Sequence, residues 1–205
     1  MLKRPDDVTD DPAVVKRLIH ENPWATFVSA TSTGLVASHY PILLEEDADG
    51  ISIVSHMGRP DDETHELGQH ELLVIVQGPH GYISPSWYTP SERIPTWNHV
   101  TAHLYGQPEI LDPEEHFRVL TRLTDHFEAD VAHPHSLDQD PEIAQRTARD
   151  TTGIRLRVTR FQALLKLSQN KSPDVVDRIT NELDRGHAYR NRLLAREMRL
   201  VHDRD

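Results

Sequence analysis

Histidines are the residues of this chain best suited to chemistry, and there are 14 of them among 205 residues. Imidazole can bind a metal, ligate haem iron or move a proton near neutral pH. His65 and His70 enclose Glu66, but the zinc-protease pattern requires one residue fewer between its two histidines. His133 and His135 flank a proline, and nothing near them supplies a third ligand at metal spacing. A zinc-protease site is therefore excluded, and most of the histidines are expected to be solvated or structural.

Composition excludes several function classes. The chain has no cysteine, so disulfides, thiolate haem ligands, iron–sulfur clusters and cysteine nucleophiles are ruled out. Its formal net charge is −11, whereas nucleic-acid binding depends on Lys and Arg to neutralise phosphates. The N-terminus lacks the apolar core of a signal peptide, and no apolar run approaches membrane-spanning length. These features predict a cytoplasmic protein without a nucleic-acid or membrane partner.

Capping residues and apolar periodicity predict the helices. Asp10 or Asp11 can cap a helix that begins with Pro12 and presents an apolar face over the next two turns. Two further helices are predicted over residues 113–127, capped by Asp112, and over residues 173–183, capped by Ser172. Residues 188–201 predict a charged helical tail, and residues 130–140 predict a mobile loop.

Apolar runs and alternation predict the strands. Residues 24–30 and 35–40 are joined by a hairpin signal, and residues 72–76 predict a central strand buried on both faces. Residues 97–105 alternate, so that His99 and His103 share one face and Val100 and Ala102 the other. Shorter strands are predicted over residues 51–55 and 154–158. Several short strands with few crossover helices predict an α+β fold built on an antiparallel barrel.

Three sequence runs carry a family resemblance. They are residues 78–88 (GPHGYISPSWY), residues 95–98 (PTWN) and residues 166–171 (KLSQNK). In this order and spacing they resemble the PaiB-type FMN-binding split-barrel family, over roughly residues 10 to 185. The resemblance implies an antiparallel split β-barrel with peripheral helices, and a homodimer with cofactor sites at the subunit interface. We expect one domain over residues 1–205, with a C-terminal helical segment from about residue 172.

Residues 55–65 depart from the family pattern at the place where the family holds the flavin phosphate. The family pattern is approximately His-x-Ala-Arg-x-Asn-Pro-x-Trp, and His56 and Arg59 match it. Residues 61–63 are three consecutive acids, which would repel a phosphate dianion. His65 appears in the same segment, and a neutral imidazole is the commonest proximal ligand of haem iron. We therefore expect haem b held by His65, with FMN as the alternative cofactor.

A second resemblance follows from this altered segment. PaiB-like proteins of about this size that lack the phosphate motif include the haem-dependent piperazate synthases. That resemblance implies an amino-acid substrate, N5-hydroxy-L-ornithine, which closes to L-piperazic acid through an N–N bond. Two alternatives stay open: an FMN-binding PaiB-type oxidoreductase or transcriptional regulator, and a haem-binding split barrel that degrades or carries haem.

The proposed reaction and the resemblance together assign roles to residues. An attacking amine needs a base, for which His39 and His99 are candidates, and the substrate carboxylate needs a cation such as Lys166. Trp87 and Trp97 are candidate walls that fold the substrate, although a place in the core is an equal alternative for both. The candidate catalytic residues are His39, His99 and Lys166. The candidate cofactor-binding residues are His56, Arg59, His65, Trp87, Trp97, Asn98, Ser168, Gln169, Asn170 and Lys171.

Overall fold

The computed structural model describes residues 4–46, 49–90 and 93–203. These residues form an antiparallel sheet together with helices, which confirms the α+β prediction. The strands are β1 (Val8–Thr9), β2 (Trp24–Thr31), β3 (Gly34–Leu44), β4 (Ser52–Gly58), β5 (Leu72–Ile83), β6 (Thr96–Gly106), β7 (Pro108–Ile110), β8 (Thr151–Arg157) and β9 (Arg160–Lys166). The α-helices are α1 (Pro12–Glu21), α2 (Asp61–Thr64), α3 (Pro113–Glu128), α4 (Pro141–Arg149), α5 (Pro173–Arg185) and α6 (Arg192–His202).

Two compact units make up the chain, and each is assembled from separate segments. The first unit contains the described parts of Met1–Asp11, Gln77–Ala102 and Gln162–Asp205. The second unit contains the described parts of Pro12–Val76 and His103–Phe161. The expectation of one domain over residues 1–205 stays a prediction.

The second unit is built on strands in the order β5-β2-β3-β4-β8-β7. The β2–β3 hairpin closes at Gly34, whose φ of 126° favours glycine. Its register pairs Phe27 with Ser38 and Ser29 with Val36. Since side chains alternate across a strand, Ser29 and Ser38 project from the same face of the hairpin. This register positions the hydroxyl groups of the site described below.

The α3 helix of the second unit packs against its sheet. The α3 helix is capped as predicted, because Asp112 accepts a hydrogen bond from the Glu115 amide at 2.8 Å. A buried apolar cluster joins α3 to β3 and β4 and includes Leu43, Val54 and Val119. The α4 helix was not predicted, since only its Asp140 cap and one buried residue, Ala144, mark it.

The first unit has strands in the order β1-β9-β6-β5 and the two C-terminal helices. The alternation predicted for β6 is confirmed over its whole length. Three predictions are wrong in detail. Residues 72–76 alternate between buried and half-buried positions and continue as β5 to Ile83. The α6 helix begins at Arg192 because the Asn191 side chain accepts a hydrogen bond from the Leu194 amide at 3.0 Å, and Ser172 forms no such cap on α5.

No helix in the described ranges combines the length and apolar character needed to cross a membrane.

Candidate functional site

His65 is the centre of a buried hydrogen-bond chain in the second unit. It follows α2 directly, and its side chain is 1% exposed. Its Nδ1 lies 2.7 Å from the Ser29 hydroxyl and its Nε2 lies 3.0 Å from the Ser38 hydroxyl. Burial lowers the pKa of His65, and the nearby charge of Asp61 opposes that shift only in part. The imidazole is therefore neutral near pH 7.

The protons in this chain can be assigned from the chemistry of its members. Asp61 accepts hydrogen bonds from Tyr40 at 2.6 Å and Ser38 at 2.8 Å, and these bonds lower its pKa. An ionised carboxylate only accepts, so the single hydroxyl proton of Ser38 goes to Asp61. The Ser38 oxygen then accepts from His65, which must carry its proton on Nε2. The bare Nδ1 in turn accepts from Ser29, so His65 is the Nε2–H tautomer.

An imidazole is a suitable haem ligand, but neither ring nitrogen of His65 has a free lone pair in this conformation. Iron takes an imidazole nitrogen through its lone pair. In this conformation Nε2 of His65 is protonated, and the lone pair of Nδ1 is engaged by Ser29. Ligation therefore requires the proton to leave Nε2 and the Ser38 hydroxyl to move aside. Asp61 reaches His65 only through Ser38 and does not contact the ring directly.

The same segment does not form a phosphate cradle. The amide groups of Gly58 and Arg59 already donate to protein oxygens, at 3.1 Å and 3.0 Å, and Pro60 has no amide hydrogen. The guanidinium of Arg59 lies 3.7 Å from Asp62, which also accepts a hydrogen bond from Thr152 at 2.6 Å. A phosphate dianion placed here would compete with these bonds and face two carboxylates. The described residues of this segment do not fit the flavin phosphate.

His56 and His116 are both withdrawn from solvent in the second unit. The His56 ring packs edge-on against Tyr40 at 6.0 Å, and its buried Nδ1 has no hydrogen-bond partner among the described residues. Burial lowers the pKa of both histidines. His116 lies on α3 and is 6% exposed. It is buried because Gly153 has no Cβ, which would otherwise lie 2.6 Å from the imidazole ring, and its Nε2 meets Thr151 at 3.1 Å.

A cleft of about 350 Å³ lies in the first unit, within the size range of small-molecule sites. Its walls contain three cationic side chains and one acid. The cations are Arg4, Lys166 and Lys171, and the acid is Asp7. This composition suits a ligand that carries a carboxylate. Six predicted site residues line the cleft: Asn98, His99, Lys166, Ser168, Asn170 and Lys171.

Lys166 is fixed at the floor of this cleft by two oxygen acceptors. Its Nζ donates to the Thr96 hydroxyl at 2.6 Å and to the Trp97 carbonyl at 2.7 Å. These contacts use two of the three N–H groups of the ammonium. Burial lowers the pKa of Lys166. Burial also lowers the pKa of His99, and the nearby charge of Lys166 lowers it further. His99 is therefore a neutral imidazole with a proton-accepting nitrogen.

The loop after β9 shapes the cleft through an unusual backbone conformation. Ser168 has a φ of 67°, in the left-handed region that non-glycine residues rarely adopt. Buried Asn98 holds it there by donating to the Ser168 hydroxyl at 2.9 Å. Gln169, predicted to bind cofactor, instead accepts from the Leu167 amide at 2.8 Å and donates to the Asp6 carbonyl at 3.1 Å. Its side chain anchors the loop to the N-terminal segment.

Two charged residues of this cleft, Arg4 and Asp7, were missed by sequence reasoning. The Asp7 side chain is only 7% exposed, and burial raises its pKa. It reaches the cleft because β1 pairs with β9, with Val8 opposite Leu164. A two-residue strand leaves no pattern in the sequence, so nothing there marked Asp7.

The remaining predicted residues lie outside the cleft walls. Trp97 is 56% exposed and contacts Tyr82 edge-on at 6.1 Å. Trp87 contacts Tyr189 at 6.4 Å in the same aromatic group of the first unit. His39 is exposed on β3 of the second unit. Within the described residues, no group of three or more His, Asp or Glu side chains is placed to hold a metal ion.

Comparison with known proteins agrees with the sequence resemblance. The family model described as "Putative FMN-binding domain" matches residues 1–160. Protease synthase and sporulation protein PAI 2 of Bacillus subtilis is 32% identical over 171 residues, which cover 80% of this chain and 82% of that protein. The yeast protein YKL070W is 31% identical over 103 residues, covering 46% of this chain and 61% of its own length.

Solved structures share the fold at low sequence identity. The FAD and haem binding protein from Mycobacterium smegmatis has a TM-score of 0.60 at 15% identity, over 82% of this chain and 77% of that one. The flavocytochrome Anf3 from Azotobacter vinelandii has a TM-score of 0.59 at 14% identity, over 80% and 72%. These likenesses confirm the split-barrel type of fold. The family match over residues 1–160 and the PAI 2 relationship show that this chain belongs to the FMN-binding domain family of PaiB type.

Proposed function

We propose that this chain is a haem-dependent cyclase that converts N5-hydroxy-L-ornithine to L-piperazic acid. One observation carries the proposal. The segment expected to hold a flavin phosphate is closed by internal hydrogen bonds around Asp61 and Asp62, and it anchors a neutral, buried His65. The name of one protein with this fold, the FAD and haem binding protein from Mycobacterium smegmatis, includes haem and supports this choice of cofactor.

His65 would hold the haem, with Ser29 keeping the ring oriented through its other nitrogen. When bound, haem iron supplies a Lewis acid that weakens the N–O bond of a hydroxylamine. For His65 to serve, its proton moves from Nε2 to Nδ1, which then donates to Ser29, and Ser38 turns its hydroxyl toward Asp61 alone. Ser29, Ser38 and His65 each keep a hydrogen-bond partner after the change, but the Ser29 hydroxyl hydrogen loses the acceptor that Nδ1 had provided.

The cleft of the first unit would bind the amino-acid substrate. Lys166 and Lys171 supply cations for the carboxylate through charge-assisted hydrogen bonds. His99 is neutral and can accept the proton that the α-amine must lose before it attacks. Walls fixed by Asn98 and Ser168 hold the flexible substrate folded, which favours ring closure.

The reaction balances without an external oxidant or reductant. The α-amine nitrogen donates its electron pair to N5, and the N–N bond forms as the N–O bond breaks. The departing hydroxyl leaves as water with the proton that the amine has lost. The cyclic product is therefore one water lighter than the substrate.

Turnover tests the proposal. We expect haem-loaded protein to convert N5-hydroxy-L-ornithine to a cyclic product with the mass of the substrate minus water. L-Ornithine should give no product, because it has no hydroxyl on N5 to leave. Loss of Lys171 in Lys171→Met should lower both binding and rate, whereas Lys16→Met, on α1 in the second unit, should not. The absence of product with ferric and with ferrous haem would refute the proposal.

An FMN-binding oxidoreductase or regulator is the second candidate. The family match favours it, and the cationic cleft of the first unit could accept a phosphate in place of the missing cradle. A yellow flavin spectrum in the purified protein would support it. A haem protein that degrades or only carries its haem is distinguished by loss of the haem spectrum with a reductant, or by the absence of turnover.

A further inference from the structure

Asp7 is a buried acid that the proposed chemistry has not used. Its side chain lines the first-unit cleft and is 7% exposed. No hydrogen bond or ion pair joins its carboxyl group to a described residue, although Arg4 and Lys166 lie close enough to attract its charge. The carboxyl oxygens are not fully enclosed, so a group that enters the cleft can reach them, while burial of the residue disfavours a carboxylate that has no donor. An acid retained under these conditions points to a partner that arrives with the ligand.

The position of Asp7 is built into the fold. The turn that contains it, Pro5–Asp7, leads directly into β1, which pairs with β9. The Gln169 side chain then ties the turn to the loop after β9 by donating to the Asp6 carbonyl at 3.1 Å. The acid is thereby fixed in the same cleft wall as Lys166 and is not a mobile terminal group.

The charges around Asp7 narrow the class of ligand. Arg4, Lys166 and Lys171 are cationic, and His99 is neutral. A simple dianion such as phosphate would satisfy the cations but would be repelled by an ionised Asp7. A ligand with both a carboxylate and an ammonium satisfies both sets of charges.

We propose that Asp7 accepts the α-ammonium of a free amino acid whose carboxylate is bound by the cations of the same cleft. This inference rests on the proposed function in one respect, since it places the substrate in the first-unit cleft. It goes further by assigning the amino-group receptor and by making the free α-amine a requirement for binding. Asp7 also places the amine beside His99, which can then take its proton.

Two ligands that differ only in the α-amino group test the inference without haem. We expect the protein to bind L-norvaline about 10- to 100-fold more tightly than pentanoate in isothermal titration, the range of one charge-assisted hydrogen bond. N-acetyl-L-norvaline, which keeps the carboxylate but loses the ammonium, should bind like pentanoate. In Asp7→Asn the preference for L-norvaline should fall to about 2-fold or less, while Asp6→Asn, at the exposed neighbouring position, should keep it.

Several outcomes would overturn the inference. They are equal affinity for L-norvaline and pentanoate in the unaltered protein, no binding of either ligand, or a preference that survives in Asp7→Asn. The comparison of ligands on the unaltered protein does not depend on how any variant folds. If the protein prefers L-norvaline but makes no cyclic product, only the proposed reaction is refuted. If it makes the product without that preference, only this inference is refuted.

Discussion

At the scale of single residues, Ser38 is the group that must move before His65 could ligate iron as proposed. Its hydroxyl lies 3.0 Å from Nε2 of the imidazole and also donates a hydrogen bond to Asp61, so it links the carboxylate to the ring. In Ser38→Ala the ring no longer has that partner, and Nε2 becomes available. We expect haem affinity to rise by about 5-fold, the equivalent of one neutral hydrogen bond. Weaker haem binding in Ser38→Ala, measured by absorbance titration, would contradict this role.

His65 also makes stability depend on pH. Burial lowers its pKa in the folded chain, so below the ordinary histidine pKa of about 6.5 the unfolded chain binds a proton that the folded chain does not. The stability is therefore fully present above that pH and is lost as pH falls toward the lowered value. We expect the free energy of unfolding to fall between pH 7 and pH 5, with a smaller slope in His65→Gln.

Denaturant titrations at several pH values measure that slope. His39→Gln is the matched control, since this imidazole is exposed on β3 and has similar hydration in both states. An unchanged slope in His65→Gln would show that folding does not lower the pKa of His65.

The sequence could mark His65 as unusual but could not name its partners. His65 was predicted as the haem ligand from its residue type and its position, because it follows an acidic run at a place where a phosphate was expected. Ser29 and Ser38 become its partners only through the register of the β2–β3 hairpin, which brings together residues 36 positions and 27 positions away in the chain. Such pairings depend on tertiary packing and leave no local pattern.

At the scale of elements, Arg155 on β8 pairs with three acidic residues of the second unit, one of which is Glu109 on β7 at 3.7 Å. Its guanidinium binds Glu45 at the end of β3 in a two-pronged contact of 2.9 Å and 3.0 Å, and it also binds Glu115 on α3. The side chain is 13% exposed, so solvent screens these contacts poorly. Lysine cannot reproduce the planar two-pronged geometry.

We expect Arg155→Lys to lower the free energy of unfolding by about 1–3 kcal/mol, since the Glu45 carboxylate loses the two-pronged contact and keeps only the Ser52 hydroxyl, at 2.7 Å, as a full donor. Arg157→Lys is the control. Arg157 is also on β8, but it is 69% exposed and pairs only with Glu109 among the described residues. Its replacement should cost less than about 1 kcal/mol. Equal effects in chemical denaturation would show that Arg155 does not tie these elements together.

Elements with strong local signals were predictable, and short ones were not. The α1 helix was identified by Pro12 and its apolar face, and β6 by its alternation. In contrast, β1 and β7 have 2 and 3 residues, and their strand character comes from the neighbours with which they pair. Because Asp7 depends on β1, the most unexpected residue of the cleft was also the least accessible to sequence reasoning.

At the scale of the whole molecule, we predict a homodimer. In the second unit, β3 pairs with β2 from Gly34 to Pro41, whereas its pairing with β4 covers Ile42 to Leu44. Leu35, near the start of β3, is 81% exposed. An exposed strand segment with a large apolar side chain is a surface suited to association.

Light scattering should therefore give twice the mass of one chain at micromolar concentration. We expect Leu35→Asp to weaken the dimer, because it would place a charge in the contact. Leu193→Asp changes a side chain of similar exposure, 61%, on α6 and should leave the mass unchanged. A monomeric species in the unaltered protein would refute the prediction.

The choice of cofactor is the central claim for the molecule, and an absorption titration tests it most directly. Purified protein is titrated separately with haem b and with FMN, and the spectra of His65→Ala and His70→Ala are compared with that of the unaltered chain. The account predicts a Soret band near 400 nm, an approximate position typical of ligated haem, that persists in His70→Ala and is lost or strongly weakened in His65→Ala while the variant stays folded. Tight binding of FMN with no ligated haem, or an unchanged haem spectrum in His65→Ala, would contradict it.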